Sequence, residues 1–187
     1  MEVLEAIKTR RSIRKYRSDP ISPEDLGVIL EAIRWAPSWV NTQCWELIIV
    51  SDQEQRRKLR EAFPANNPGA PALTTAPIVV VVAGKKGISG YYKGKAVTIH
   101  GDWLLFDVAL AMQNLSLAAH SLGLGTVDLG YFDHEKVKGI LELPDDMVVV
   151  AMTPLGYPAD IPTAPSRKSL TEFVSYETYG RRAPMTT

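Results

Sequence analysis

Cysteine occurs once in these 187 residues, at Cys44. A single thiol excludes an internal disulfide and any cysteine cluster for a metal within one chain. Histidine is nearly as scarce, and His100, His120 and His134 show no metal-ligand spacing. Charge of one sign is also lacking. The chain holds 21 basic and 21 acidic residues, for a formal net charge of zero. There is therefore no global electrostatic case for nucleic acid, and any basic site has to be local. No stretch is long and uncharged enough to span a bilayer, so no membrane partner is expected. Met1-Glu2-Val3-Leu4-Glu5 carries acid early and has no apolar core of signal-peptide length. These absences predict a cytoplasmic protein with a reduced thiol.

Several motifs are missing too. Gly84, Gly87, Gly90 and Gly94 do not fit GxGxxG, and no GKS/T follows them. Gly123-Leu124-Gly125 follows a helical pattern, whereas a dinucleotide fingerprint follows a strand. Neither a Rossmann site nor a P-loop is supported. There is no GxSxG elbow, no internal repeat and no low-complexity segment.

What is present suffices for a folded core. Hydrophobic residues make up 45% and charged residues 22%, which fits one domain over residues 1–187. Val3, Leu4 and Ile7 predict a short amphipathic helix running into Arg10. Ser22-Pro23-Glu24-Asp25 reads as a helix start, with Leu26, Ile29, Leu30 and Ile33 as the buried stripe and a stop at Ala36-Pro37. Residues 36–45 form a polar loop feeding a strand over Glu46–Val50. Asp52 opens a surface helix through about Phe63, and Pro64–Pro77 reads as irregular. Ile78–Val82 is a β-branched run expected to be buried on both faces. Gly84–Gly101 shows no periodicity, and a connection this long is functional or mobile. Asp102 is placed to cap Trp103–Leu122, which is apolar nearly all round and predicts a helix at the centre of the fold or in a dimer interface. Thr126–Leu129 predicts a short strand, Asp133 caps a helix with Val137, Ile140 and Leu141, and Met147–Leu155 is a third β-branched run. Leu170–Val174 is an amphipathic tail segment. Helices and strands interleave without regular βα units, so the predicted class is α+β.

Chemistry concentrates in Arg10-Arg11-Ser12-Ile13-Arg14-Lys15-Tyr16. Guanidiniums match phosphate oxygens bidentately and stay charged at any working pH, and Ser12 adds a hydroxyl. A solvated basic turn would carry the same residues. Arg167-Lys168 is a second isolated basic pair. Asp145-Asp146 offers little for a metal or an acid, and Cys44 has no local partner for nucleophilic catalysis. Few acid–base candidates and two basic patches suit a protein whose chemistry is carried by a bound phosphorylated cofactor.

Six blocks in order carry a resemblance. Arg10-Arg11-Ser12-Ile13-Arg14 after a short helix resembles the opening of the nitroreductase family of FMN flavoproteins. Ala36-Pro37-Ser38-Trp39-Val40-Asn41-Thr42-Gln43-Cys44-Trp45 resembles its APS-x-x-N-x-Q-P-W loop. Phe106–Leu122 with Gly123-Leu124-Gly125-Thr126 resembles its central helix and LGLG exit. Leu129-Gly130-Tyr131-Phe132-Asp133 resembles the segment passing the flavin ring. Pro154-Leu155-Gly156-Tyr157-Pro158 and Arg167-Lys168-Ser169-Leu170 resemble its closing motifs.

The resemblance implies a nitroreductase-like α/β sandwich. A central mixed, mostly antiparallel sheet would be flanked by helices in an intertwined homodimer with two FMN sites. Arg10, Arg11, Ser12 and Arg14 would hold phosphate and ribityl oxygens, joined by Arg167 and Lys168. Pro37, Ser38 and Asn41 would approach the ring from the other subunit. Leu129 and Gly130 would offer backbone groups near N5. No side chain would be catalytic, because the flavin carries the chemistry. NADH or NADPH would deliver hydride and leave, and a nitroaromatic, quinone or similar small-molecule acceptor would follow, giving ping-pong kinetics. A relative with other flavin chemistry (dehalogenation, dehydrogenation or flavin fragmentation) and a non-catalytic flavin-binding dimer remain alternatives. Cys44 stands where the pattern usually has Pro, Trp39 where small residues are frequent, and Asp128 where an aromatic is common.

Overall fold

The computed structural model describes residues 1–182. The single domain expected over 1–187 runs past them, and residues 183–187 lie outside the described residues. The strands are β1 (Trp45–Val50), β2 (Ile78–Lys85), β3 (Tyr91–Tyr92), β4 (Lys95–Ala96), β5 (Gly125–Thr126) and β6 (Met147–Gly156). Four of them build the central sheet in the order β1-β2-β6-β5, and every neighbouring pair is antiparallel. Among the described residues, parallel character is confined to one isolated bridge, Ser12 with Thr126.

The helices are α1 (Val3–Thr9), α2 (Pro23–Arg34), α3 (Gln53–Arg60), α4 (Ala72–Thr75), α5 (Leu104–Ser121), α6 (His134–Ile140) and α7 (Leu170–Phe173). α2 and α5 cover one face of the sheet and α3, α4 and α6 the other, because strand side chains alternate with a period of two. Val80 and Val82 of β2 join Ile29 and Ile33 of α2 and Val108 and Leu115 of α5 in one core. Val79 and Val81 point the other way, to Leu59 of α3, Leu73 of α4 and Val137 of α6. None of Val79–Val82 is more than 1% exposed, as a strand buried on both faces requires. Each such side chain contributes roughly 1.5–3 kcal/mol of burial.

Helix starts follow the capping chemistry of the sequence. Ser22, Asp52 and Asp133 each accept a backbone N–H three residues on, at 3.0, 2.8 and 3.0 Å. Pro23 occupies the first turn of α2.

Several expectations shift in detail. Leu26 and Leu30 are only half-buried, while Ile29 and Ile33 carry the stripe of α2. Residues 64–77 are less irregular than expected: they contain α4, and Ala70, Ala72, Leu73 and Ala76 are buried there. The strand expected over Thr126–Leu129 is cut to Gly125–Thr126 plus a separate bridge from Leu129 to Met152. The α1 stripe does not face this chain's core. Val3, Leu4 and Ile7 are 68%, 70% and 51% exposed, and Ala6 alone is buried. Leu105 and Phe106 of α5 are also exposed.

Candidate functional site

The basic cluster is placed by backbone pairing on both sides. After α1 the chain turns at Arg10 and meets β5, where the Ile13 N–H donates to Thr126 O at 2.9 Å. Ile13 is buried against Gly125. A Cβ on Gly125 would lie 2.5 Å from Ile13 Cγ1, so this close approach requires glycine. Tyr16 is buried as well. Its hydroxyl donates to Ile13 O at 2.7 Å, and burial raises the phenol's pKa, so it stays a neutral donor. The end of β6 then returns the chain to the cluster. Arg17 N donates to Tyr157 O and Ala159 N to Lys15 O, each at 2.9 Å.

This pairing closes a cleft of about 260 Å³. Arg10, Arg11, Ser12, Arg14 and Arg167 line it, with Pro162, Thr163 and Pro165 as the outer wall. Among the described residues, no carboxylate lines the cleft. Among the described residues, none of the four guanidiniums is in an ion pair. Arg11 is partly spent, because its Nη1 donates to Lys8 O and Arg10 O at 2.8 Å. Arg14 makes only a long 3.4 Å contact to Ser12 O. Lys168 is exposed and does not line the cleft.

A second cavity of about 160 Å³ adjoins it, lined by Arg10, Arg11, Thr9 and His120 among others. His120 Nε2 lies 2.8 Å from the Thr9 hydroxyl. Burial first, then Arg10 and Arg11, lower the His120 pKa and favour the neutral ring. Asp128 follows β5. The residue is exposed, yet surrounding chain crowds its carboxyl and raises its pKa against the pull of Arg10.

Leu129 and Gly130 part company. Leu129 N donates to Met152 O at 2.8 Å, and Met152 N to Leu129 O at 2.9 Å. The Leu129 amide expected to face a ring is therefore committed to the sheet. The Gly130 N–H has no acceptor among the described residues, and no atom lies within 4 Å of where its Cβ would be.

Pro37, Ser38 and Asn41 lie elsewhere. Their loop is tied to Asp107, near the start of α5, whereas the basic cluster adjoins His120, near its end. The run from 107 to 120 spans roughly 20 Å at 1.5 Å per residue. Within the loop, Trp39–Asn41 forms a 3₁₀ turn, and Val40, Asn41 and Gln43 have φ of 43°, 56° and 47°. Left-handed backbone costs on the order of 1 kcal/mol or more for a residue with a Cβ, and most for β-branched valine. Gln43 N donates to Ser38 Oγ at 2.9 Å, closing the loop on itself. Trp39 packs on Trp103 with ring centroids 5.3 Å apart.

Cys44 is buried beside Asp107, its Sγ 3.6 Å from Oδ2. Burial, reinforced by Asp107, pushes the thiol up to about 12. It is a protonated donor rather than a nucleophile. The Gly84–Gly101 segment has structure of its own: the β3–β4 hairpin, and a buried Ser89 that donates to Asp107 Oδ2 at 2.7 Å. Asp102 accepts from Leu104 N at 2.9 Å and Gly87 N at 2.7 Å, so it pins this segment to the start of α5, whose N-cap is Trp103 rather than Asp102 as expected. Asp145 and Asp146 are taken up by Lys138 and Lys85. Sequence reasoning missed Gly125 and Asp107. The signal for Asp107 was there, as an acid in an otherwise apolar helix.

Known proteins resemble this chain in sequence and fold. The nitroreductase family model matches residues 7–72 and 64–157. A protein of Methanothermobacter thermautotrophicus is 39% identical over 166 residues, covering 87% of this chain and 80% of its own. Its assigned name, NADH dehydrogenase/NAD(P)H nitroreductase, is provisional. An FMN reductase (NAD(P)H) of Bacillus subtilis is 31% identical over 170 residues, covering 85% of this chain and 67% of its own. The crystal structure of a nitroreductase family protein from Clostridium novyi superposes with a TM-score of 0.77 at 31% identity, covering 97% of both chains. With the fold, the ordered motifs and these matches in agreement, the chain belongs to the nitroreductase family.

Proposed function

We propose that this FMN-dependent NAD(P)H oxidoreductase passes electrons from NADH or NADPH to nitroaromatics, quinones or similar small acceptors, as an intertwined homodimer with two sites. One observation carries the reading. Arg10, Arg11, Ser12, Arg14 and Arg167 line one cleft of about 260 Å³, with no carboxylate among its described lining residues. Such a donor set fits a phosphate monoester, and it is paid for by no internal ion pair.

The residues divide the work by position. Arg10, Arg14 and Arg167 would give charge-assisted hydrogen bonds to the phosphate, and Ser12 would serve phosphate or ribityl oxygens. Arg11 adds charge while holding the end of α1. Lys168 contributes long-range attraction only. The Gly130 N–H is the backbone donor left for the ring. FMN, when bound, supplies the hydride chemistry.

Pro37, Ser38 and Asn41 reach a site only from a second copy, since in one chain they sit at the far end of α5. A dimer also covers the exposed apolar faces of α1, of Leu105 and Phe106, and of Leu170 and Phe173 in α7. Donor and acceptor then use one pocket in turn. No helix among the described residues is long and apolar enough to cross a membrane.

Purified protein is expected to be yellow and to release a cofactor with the mass of FMN. Anaerobic mixing with NADH or NADPH should bleach the flavin band, and double-reciprocal plots with a quinone or nitroaromatic should run parallel. A colourless protein that FMN cannot reconstitute would overturn the reading. No bleaching with either nicotinamide would favour a non-catalytic dimer.

A further inference from the structure

Asp107 is the acid that interrupts the apolar sequence of α5, and it is 1% exposed. A buried carboxylate needs a cation or several donors. Among the described residues Asp107 has no ion-pair partner. Its contacts are donors instead. The Trp39 N–H reaches Oδ1 at 3.0 Å and Oδ2 at 3.1 Å. Thr42 Oγ1, Ser89 Oγ and Cys44 Sγ donate to Oδ2 at 3.3, 2.7 and 3.6 Å. Three of these four residues lie in the 39–44 stretch. It is the same stretch whose backbone is left-handed at Val40, Asn41 and Gln43.

The two observations belong together. Asn tolerates a left-handed backbone, but Val does not choose one, and local turn chemistry does not explain Val40 or Gln43. A path of this kind persists only where surrounding structure over-determines it. The loop's own bonds, Asn41 N to Ser38 O and Thr42 N to Trp39 O, close the turn without fixing where it sits. Asp107 grips it from a helix locked in the core. Val40 is 84% exposed, so no packing among the described residues holds it in place.

We infer that Asp107 is a positioning residue, holding Ser38–Gln43 in the path that presents Ser38 and Asn41 to the flavin of the partner subunit. The inference rests on the dimeric FMN site proposed above. Asp107 touches no cofactor in this account and acts only through the loop. By bonding Ser89 it also ties the β3–β4 segment to the same anchor.

The test uses the full-length, FMN-loaded protein and five variants: Asp107→Asn, Thr42→Val, Val40→Gly, and Val40→Gly combined with Asp107→Asn or with Thr42→Val. FMN affinity is read by fluorescence on dilution, loop order by amide exchange at Trp39 and Gln43, and global stability by melting. Asp107→Asn should weaken FMN roughly tenfold or more and speed exchange at both amides, as expected when a charge-assisted bond is lost. Val40→Gly alone should change affinity by less than about threefold, since glycine adopts φ > 0 freely. Added to Asp107→Asn, it should recover at least half of the logarithmic loss. A role in core stability alone would not be rescued at an exposed loop position. If Asp107→Asn does not fold, Thr42→Val carries the test, with roughly threefold weaker FMN and the same rescue by Val40→Gly. Wild-type affinity in both Asp107→Asn and Thr42→Val, or a loss untouched by Val40→Gly, overturns the inference. A wild-type chain that bound no FMN would overturn the cofactor reading instead, and exchange at Trp39 and Gln43 would still decide whether Asp107 holds the loop.

Discussion

The cleft at Arg10–Arg14 and the loop at Ser38–Gln43 solve opposite problems. The cleft keeps its donors unspent. Among the described residues its guanidiniums make no ion pair, only Arg11 is spent on close carbonyl contacts, and ordinary backbone pairing with β5 and residues 157–159 fixes their place. The loop spends nearly everything internally. Its backbone is left-handed at three residues that carry a Cβ, and a buried carboxylate holds it. A site that binds through charge needs little precision and much unused capacity. A site that shapes a pocket needs a fixed contour, and the fold supplies rigidity where the sequence has no preference for that shape.

The largest expected effect breaks the cleft from beneath. Gly125→Ala drives a Cβ into Ile13 and should cost about 1–3 kcal/mol of stability, as overpacking does, together with the loss of FMN. A thermal melt and a flavin titration check it, and an unchanged pair would mean that Ile13 does not set the cleft. Next come the donors themselves. Arg10→Ala, Ser12→Ala and Arg14→Ala should each weaken FMN by about 1–3 kcal/mol with little change in melting temperature. The loop responds differently, through pH. The Cys44 thiol is raised from about 9 to about 12 in the folded chain. The folded state therefore holds that proton more tightly than the unfolded chain. The associated stability is complete below about pH 9 and is lost as pH rises toward about 12. Urea unfolding across that range should show the loss in wild type and a smaller one in Cys44→Ala. The smallest effect is expected at Lys15–Asp160, an exposed pair at 3.7 Å. Lys15→Ala should change stability by less than about 1 kcal/mol, because backbone pairing holds the 157–159 return.

Much of the fold was legible because its signals are local. Ser22-Pro23, Asp52 and Asp133 announce their helices, and the β-branched runs at 78–82 and 147–155 announce the two central strands. The clustering was legible because Arg10, Arg11, Ser12 and Arg14 are adjacent in sequence, and the ordered motifs put Arg167 with them, where the fold also places it. Other features were hidden because tertiary structure creates them. Nothing in Val40 or Gln43 signals φ > 0, so the loop's path could not be read from its residues. Pairing of Leu129 with Met152 depends on a strand more than twenty positions away, so nothing local signals that its amide is committed to the sheet. The spacing of Val3, Leu4 and Ile7 signals a helix, and α1 forms there, but periodicity does not name the surface a stripe meets, and in this chain the three are exposed.

The most direct test of the central claim compares FMN with riboflavin, which lacks the phosphate, on protein freed of its cofactor. Fluorescence titration should show FMN binding about 100-fold more tightly or better, the equivalent of one to two charge-assisted bonds. That gap should narrow in Arg14→Ala and Arg167→Ala. Equal affinity for the two flavins, or a gap unchanged by both substitutions, would contradict the assignment of the Arg10–Arg14 and Arg167 cleft to the FMN phosphate.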